Sequence, residues 1–223
     1  MNPSATFIPY EAELRSERDL MSHAQSHYQF MNKRRSVRHF SDQPIPREVI
    51  DDLIRTASTA PSGANKQPWT FCVVSNPELK SRIRKGAEEE EFISYTGRMG
   101  ERWIKDLEPF GTNHEKEFIE TCPYIIVVFK RMYEVDEAGN KHNNYYVNES
   151  VGIAVGFLLN AIHQVGLTSL THTPSPMNFL QKILGRPDNE RPYLLIPVGY
   201  PAKHSTVPDI SRKDLSQVAV FFD

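Results

Sequence analysis

The 223-residue chain is 39% hydrophobic and 24% charged, a balance that provides a true core and a soluble surface for one large domain or two small ones. Its formal net charge of −2 leaves no global basic field for nucleic acid or an anionic membrane, so an anionic ligand must be held by a local basic cluster. The longest apolar run, Ile125–Phe129, is far short of the ~20 residues that span a bilayer, and the polar N-terminus lacks the apolar stretch of a secretion signal, so a soluble, cytoplasmic protein is expected.

Residues 1–30 are polar and carry few packing signals, and read as a short helix or an arm lying over the body or a partner. From Ile45 to Ser58 the pattern is helical: Pro46 suits the first turn, and Val49, Ile50, Leu53, Ile54 and Ala57 share a face. Pro and Gly make residues 60–68 a loop, and the β-branched and aromatic run from Trp69 to Ser75 a strand. A second helix runs from Pro77 to about Glu91. The pattern then weakens to about Phe118, with Trp103, Leu107 and Phe110 scattered among charges, as in a mobile cover. Tyr124–Lys130 lacks polar alternation, so it reads as a strand buried on both faces.

The strongest helix lies at 145–164, where Val147, Val151, Ala154, Val155, Leu158 and Ile162 recur at helical spacing. Gly152 and Gly156 would admit a close backbone there, and Gly166 would end the helix. A strand at 167–171, a helix at 176–184 ending at Gly185, and a strand at 193–200 follow. The tail from Pro201 has few core signals until Val218–Phe222, which needs a sheet edge, in this chain or a second subunit. Long helices and short strands favour an α+β sandwich over a regular βαβ repeat, and the lack of GxGxxG after a strand disfavours a dinucleotide-binding unit. Cys72 and Cys122 sit in apolar runs with no CxxC or Cys/His metal spacing, and read as buried strand thiols rather than metal ligands.

Two clusters carry chemistry. Lys33–Arg38 offers arginine forks and a serine hydroxyl suited to phosphate oxygens, or else a solvated basic turn. Ser62 and Gly63, in a helix-to-strand turn, can bring bare backbone against a flat ligand, or else form an ordinary turn.

Arg34–Phe40 (RRSVRHF), followed after a helix by Thr59–Trp69, resembles the opening of the nitroreductase flavoproteins. Residues 88–103 (EEEEFISYTGRMGERW), 170–174 (LTHTP) and 184–215, which include VGYPAK and VPD, resemble the iodotyrosine deiodinase branch of that superfamily. The likeness runs from about residue 30 to the end, without the hydrophobic anchor of the membrane-bound members.

The resemblance implies a nitroreductase-like, FMN-binding α/β sandwich over residues 31–223, with a lid at about 88–118 and a C-terminal extension at about 201–223. It also implies a domain-swapped homodimer with FMN at each subunit interface. Carried over, Arg34, Arg35, Ser36 and Arg212 would hold the FMN phosphate. Arg38 would lie near the flavin ring, where positive charge near N1 favours the reduced anion. Ser62 and Gly63 would line the flavin, and the Ala64 N–H would face a substrate phenolate. Thr171, His172 and Thr173 would pass the flavin edge, with the Thr173 hydroxyl at N5 favouring one-electron steps over hydride transfer. His172 departs from the family's threonine.

Glu91, Tyr95 and Lys116 match the family's clamp for an amino acid zwitterion, with the carboxylate for the ammonium, the amine for the carboxylate and the phenol between. Without the resemblance these are a solvated acidic face and a surface lysine. The implied reaction is reductive removal of iodide and other heavier halides from 3-halotyrosines, with electrons from NADPH directly or through a separate reductase. A general nitroreductase or flavin reductase working by hydride transfer, or a non-catalytic FMN or halotyrosine binder, are the competing readings. The proton donor to carbon is not legible in the sequence.

Overall fold

The structure, a computed structural model, describes residues 6–222. Residues up to Arg34 form one compact unit and those from Arg35 another. The first unit holds α1 (Glu17–Asn32), where a short helix or an arm is expected. Ser16 caps it by accepting from the Asp19 N–H at 3.2 Å, and Glu17 and Asp19 suit the positive end of its dipole.

The second unit runs through α2 (Arg47–Ser58), β1 (Trp69–Val74), α3 (Pro77–Ile93), α4 (Glu101–Leu107), α5 (Phe118–Thr121), β2 (Tyr124–Arg131), β3 (Tyr133–Val135), β4 (Lys141–Asn143), α6 (Val147–Gln164), β5 (Thr168–Ser169), α7 (Asn178–Ile183) and β6 (Glu190–Gly199). The main sheet has the order β1-β2-β6-β5 with every neighbouring pair antiparallel, so this is the expected α+β sandwich.

β2 shows why an unbroken apolar run forms a strand here. Successive side chains point to opposite faces. Ile126 and Val128 join Leu53 of α2 and Leu158 of α6 in one core, while Ile125, Val127 and Phe129 join Ile83 of α3 and Leu180 of α7 in the other. Ile125 to Phe129 are fully buried, so polar alternation would place a polar side chain in one of the two cores.

Several boundaries differ from expectation. Pro46 caps α2 rather than lying in its first turn. The strand expected at 167–171 is regular only at Thr168–Ser169, and a single bridge pairs His172 with Leu195 just beyond it. Gly166 and Gly185 follow their helices with φ of +79° and +59°, as expected. At Gly152 a Cβ would lie 3.2 Å from the Tyr193 hydroxyl, so a side chain rather than a backbone makes the close approach. The β3–β4 hairpin was not legible. Cys122 is buried, but ends α5 instead of lying in a strand, while Cys72 is half-buried in β1. Val218–Phe222 forms no strand in this chain, and Val220, Phe221 and Phe222 are exposed. Among the described residues no helix is long and apolar enough to cross a membrane, and no His, Cys, Asp or Glu group is placed to hold a metal ion.

Candidate active site

The expected lid is folded. α3 runs into a π-helical turn, Ser94–Arg98, and α4 and a 3-10 turn lead to Gly111 and back to α5. Inserted π turns often mark functional positions. Under this segment lies a cavity of about 230 Å³, lined by Arg38, Glu91, Tyr95, Lys116, Thr171 and Thr173 together with His172. Met99, Trp103 and Leu107 form an apolar wall on the lid side. Residues far apart in the chain, expected at a substrate and at a flavin edge, thus meet around one cavity.

Two of the three residues expected to form a clamp, Glu91 and Lys116, answer each other's charge. Lys116 Nζ lies 3.5 Å from Glu91 Oε2, with side chains only 4% and 13% exposed, so Lys116 is not a surface lysine. Nζ also donates to the Asn113 carbonyl and lies 5.8 Å from the centre of the Tyr95 ring. Burial pushes the Glu91 carboxyl up against the pull of Lys116, and pulls the Lys116 amine down against Glu91. Burial likewise raises the Tyr95 phenol, with the Thr112 hydrogen bond opposing.

Lys116 is positioned through its backbone. Its N–H donates to Glu88 Oε1 at 2.7 Å, and Arg84 holds the same oxygen at 2.8 Å while reaching Glu120 at 3.1 Å. Burial would raise the Glu88 carboxyl, but the Lys116 N–H and Arg84 outweigh it and hold it below the usual range.

Thr171 and Thr173 are exposed in the cavity wall, whereas His172 between them turns inward. The His172 backbone pairs with Leu195 at 2.9 and 3.0 Å, and its ring meets Phe118 edge-on at 5.6 Å. Its buried Nε2 has no hydrogen-bond partner among the described residues. Burial, then the charges of Lys116 and Arg38, push its pKa down to about 3. The unfolded chain therefore binds the extra proton first, so stability is lost as pH falls from about 6.5 towards about 3. His172→Phe is expected to shrink the stability difference between pH 7 and pH 5, measured by urea unfolding, by on the order of 2 kcal/mol. An unchanged difference would contradict this assignment.

A second cavity, of about 340 Å³, is lined by Ser36, Arg38, His39, Phe110, Val207 and Pro208. Arg35 Nη2 donates to the Pro208 carbonyl, which ties the C-terminal tail to the basic segment. Arg38 lines both cavities and lies 5.9 Å from the centre of the Phe110 ring, and burial lowers its pKa. An anionic end between Ser36 and the tail and a flat group reaching Thr171 and Thr173 would share Arg38, an arrangement that fits FMN.

Other expected flavin residues lie elsewhere. Ser62, Gly63 and Ala64 line neither cavity. They form a turn against the start of α6: the Gly63 N–H donates to Ser150 Oγ at 3.3 Å, and a Cβ on Gly63 would lie 2.9 Å from Tyr146 Cδ2. Ala64, Asn65 and Gln67 have φ of +49°, +52° and +47°, costing roughly 1–2 kcal/mol each. Arg212 lies in the exposed tail and lines neither cavity, and Arg34 ends the first unit, where its N–H donates to the Met31 carbonyl. Sequence reasoning missed Glu88, Thr112, Asn113 and Ser175, whose polar types carry no spacing signal.

Residues 31–200 match the nitroreductase family, to which the chain belongs. It is 58% identical over 222 residues to the iodotyrosine deiodinase of Haliscomenobacter hydrossis, covering 100% of both chains. It is 47% identical to human iodotyrosine deiodinase 1, over 96% of this chain and 74% of the human one. Among solved structures, that of oxidized iodotyrosine deiodinase bound to FMN and 3-iodo-L-tyrosine superposes with a TM-score of 0.75 and 30% identity, over 88% of this chain and 98% of that one. These likenesses place the chain in the iodotyrosine deiodinase branch of the family.

Proposed function

We propose that the protein is an FMN-dependent iodotyrosine deiodinase, which reductively removes halide from 3-halotyrosines. The observation that carries this reading is the meeting of Glu91, Tyr95 and Lys116 with Arg38, Thr171 and Thr173 around one cavity. A hydride-transferring nitroreductase has no use for a buried acid–amine pair over its cofactor. A zwitterionic amino acid does, because its ammonium and carboxylate can take over the partners that Lys116 and Glu91 provide each other.

FMN would supply two electrons. Overall the carbon–halogen bond breaks, the halogen leaves as halide, and one proton completes a carbon–hydrogen bond, giving tyrosine. Glu91 would bind the substrate ammonium, Lys116 its carboxylate, and Tyr95 would bridge the two. The folded lid would exclude water from the ring. Arg35 and Ser36, joined by Arg34 and Arg212, would hold the FMN phosphate, and Arg38 would favour negative charge near the ring. Thr171 and His172 would pass the cofactor edge, with the Thr173 hydroxyl donating to its N5 and steering it to one-electron steps.

The remaining pieces support a swapped homodimer. The turn of Ser62, Gly63 and Ala64 is built at some backbone cost yet serves neither cavity of its own chain, so it would serve the partner's flavin, with the Ala64 N–H meeting the substrate phenolate. The exposed Val220, Phe221 and Phe222 would find cover on the partner. NADPH, directly or through a reductase, would be the electron source, and the free thiols Cys72 and Cys122 suit a reducing cytoplasm.

The test compares affinities of the oxidised, FMN-loaded protein. Micromolar or tighter binding of 3-iodotyrosine, with far weaker binding of a plain nitroaromatic, is expected; the reverse order favours a general nitroreductase. Thr173→Ala is expected to slow halide release roughly tenfold, the worth of one hydrogen bond, while nitro reduction persists. Equal loss of both activities would contradict the role given to Thr173.

A further inference from the structure

Outside the clamp, one side chain joins the two walls of the cavity. Arg98 ends the π-helical turn that follows Tyr95. Its Nη1 lies 2.6 Å from Glu90 Oε2 and donates to the Ser175 carbonyl at 3.1 Å. Glu90 precedes the clamp acid Glu91. Ser175 lies two residues beyond Thr173 and itself lines the cavity. The guanidinium therefore spans from the lid, which carries Glu91 and Tyr95, to the segment that carries Thr171 and Thr173.

We infer that Arg98 is a positioning residue that latches the lid to the Thr173 segment and so sets how long a bound amino acid stays. This rests on the proposed reading of the cavity as the halotyrosine site. The latch works by geometry. One terminal nitrogen, Nη1, donates to an acid and to a carbonyl, and the planar guanidinium fixes the directions of those two bonds, whereas a freely rotating ammonium holds the same two partners less rigidly. Arg98 is 42% exposed, so solvent screening limits its contribution. Arg98 and Glu90 do not line the cavity, so opening would govern release more than encounter, as for most affinity differences. Closing lids commonly gate product and substrate release in this way.

The experiment uses FMN-loaded protein and stopped-flow displacement of 3-iodotyrosine, followed by flavin fluorescence. Arg98→Ala is expected to raise the dissociation rate roughly tenfold, with FMN content and association rate within about twofold of the parent. Arg98→Lys should recover part of the loss, and Glu90→Gln should fall between. Turnover of a plain nitroaromatic, which the clamp does not hold, should be unchanged. An unchanged dissociation rate in Arg98→Ala overturns the latch, as does a parallel loss of FMN and nitroaromatic turnover, which would mark a merely structural arginine. Chymotryptic cleavage of the ligand-free holoprotein at Tyr95, Trp103 and Phe110 provides a readout that needs no substrate. Faster cleavage in Arg98→Ala supports the latch even if iodotyrosine fails to bind the parent, and equal cleavage overturns it.

Discussion

Lys116→Ala is expected to weaken 3-iodotyrosine binding by roughly 10- to 150-fold, the worth of one charge-assisted hydrogen bond of ~1.5–3 kcal/mol at about 1.4 kcal/mol per decade. The lid should keep its place, because Lys116 is tied to Glu88 through its backbone N–H, which alanine retains. Two effects combine in the loss. The substrate carboxylate loses its cation, and Glu91, only 13% exposed, loses the charge that opposes its burial, so it takes up a proton more readily and serves the ammonium less well. Glu91→Gln should weaken binding as well, and the double variant by less than the product of the two, because the residues act on each other as well as on the ligand. Isothermal titration of the FMN-loaded variants measures all three. Affinity within a factor of two of the parent in Lys116→Ala would remove the clamp.

A stop codon after Ser205 is expected to leave a folded but colourless protein. Among the described residues every buried hydrophobic side chain lies between Val37 and Val198, and Pro201 and Ala202, which pair with Phe40 and His39, are kept. The shortened chain loses Val207 and Pro208 from the wall of the second cavity, the carbonyl that holds Arg35, and Arg212. If Arg212 holds the phosphate as proposed, losing it together with a cavity wall should weaken FMN binding on the order of 100-fold, counting two polar contributions near the lower end of their usual range. Absorbance near 450 nm per mole of purified protein reads the flavin, and far-ultraviolet circular dichroism confirms that the fold survives. Full flavin content would show that the tail is not part of the cofactor site.

The elements most legible in the sequence were those whose pattern has one physical cause. The unbroken run of β2 requires apolar cover on both faces, and α6 and α2 announce themselves by one buried stripe each. Glu91, Tyr95 and Lys116 were legible only through motif resemblance, because a glutamate run and a lone lysine otherwise read as solvated surface. Nothing in the residue types shows that Ala64 turns left-handed, since alanine is a poor choice there. The inward turn of His172 goes with its pairing with Leu195, and Arg98 reaches the Ser175 carbonyl, distant in the chain; both contacts are tertiary, without a local signature. Val218–Phe222 has strand-like composition, but composition does not supply a pairing partner, and in this chain the segment joins no sheet edge.

A halotyrosine held in this cavity against FMN should lose its halide once the flavin is reduced. FMN-loaded protein, reduced with dithionite and mixed with excess 3-iodotyrosine, tests that most directly. Iodide and tyrosine should appear in equal amounts over repeated turnovers. Tight binding of iodotyrosine with no iodide released beyond the blank would contradict it.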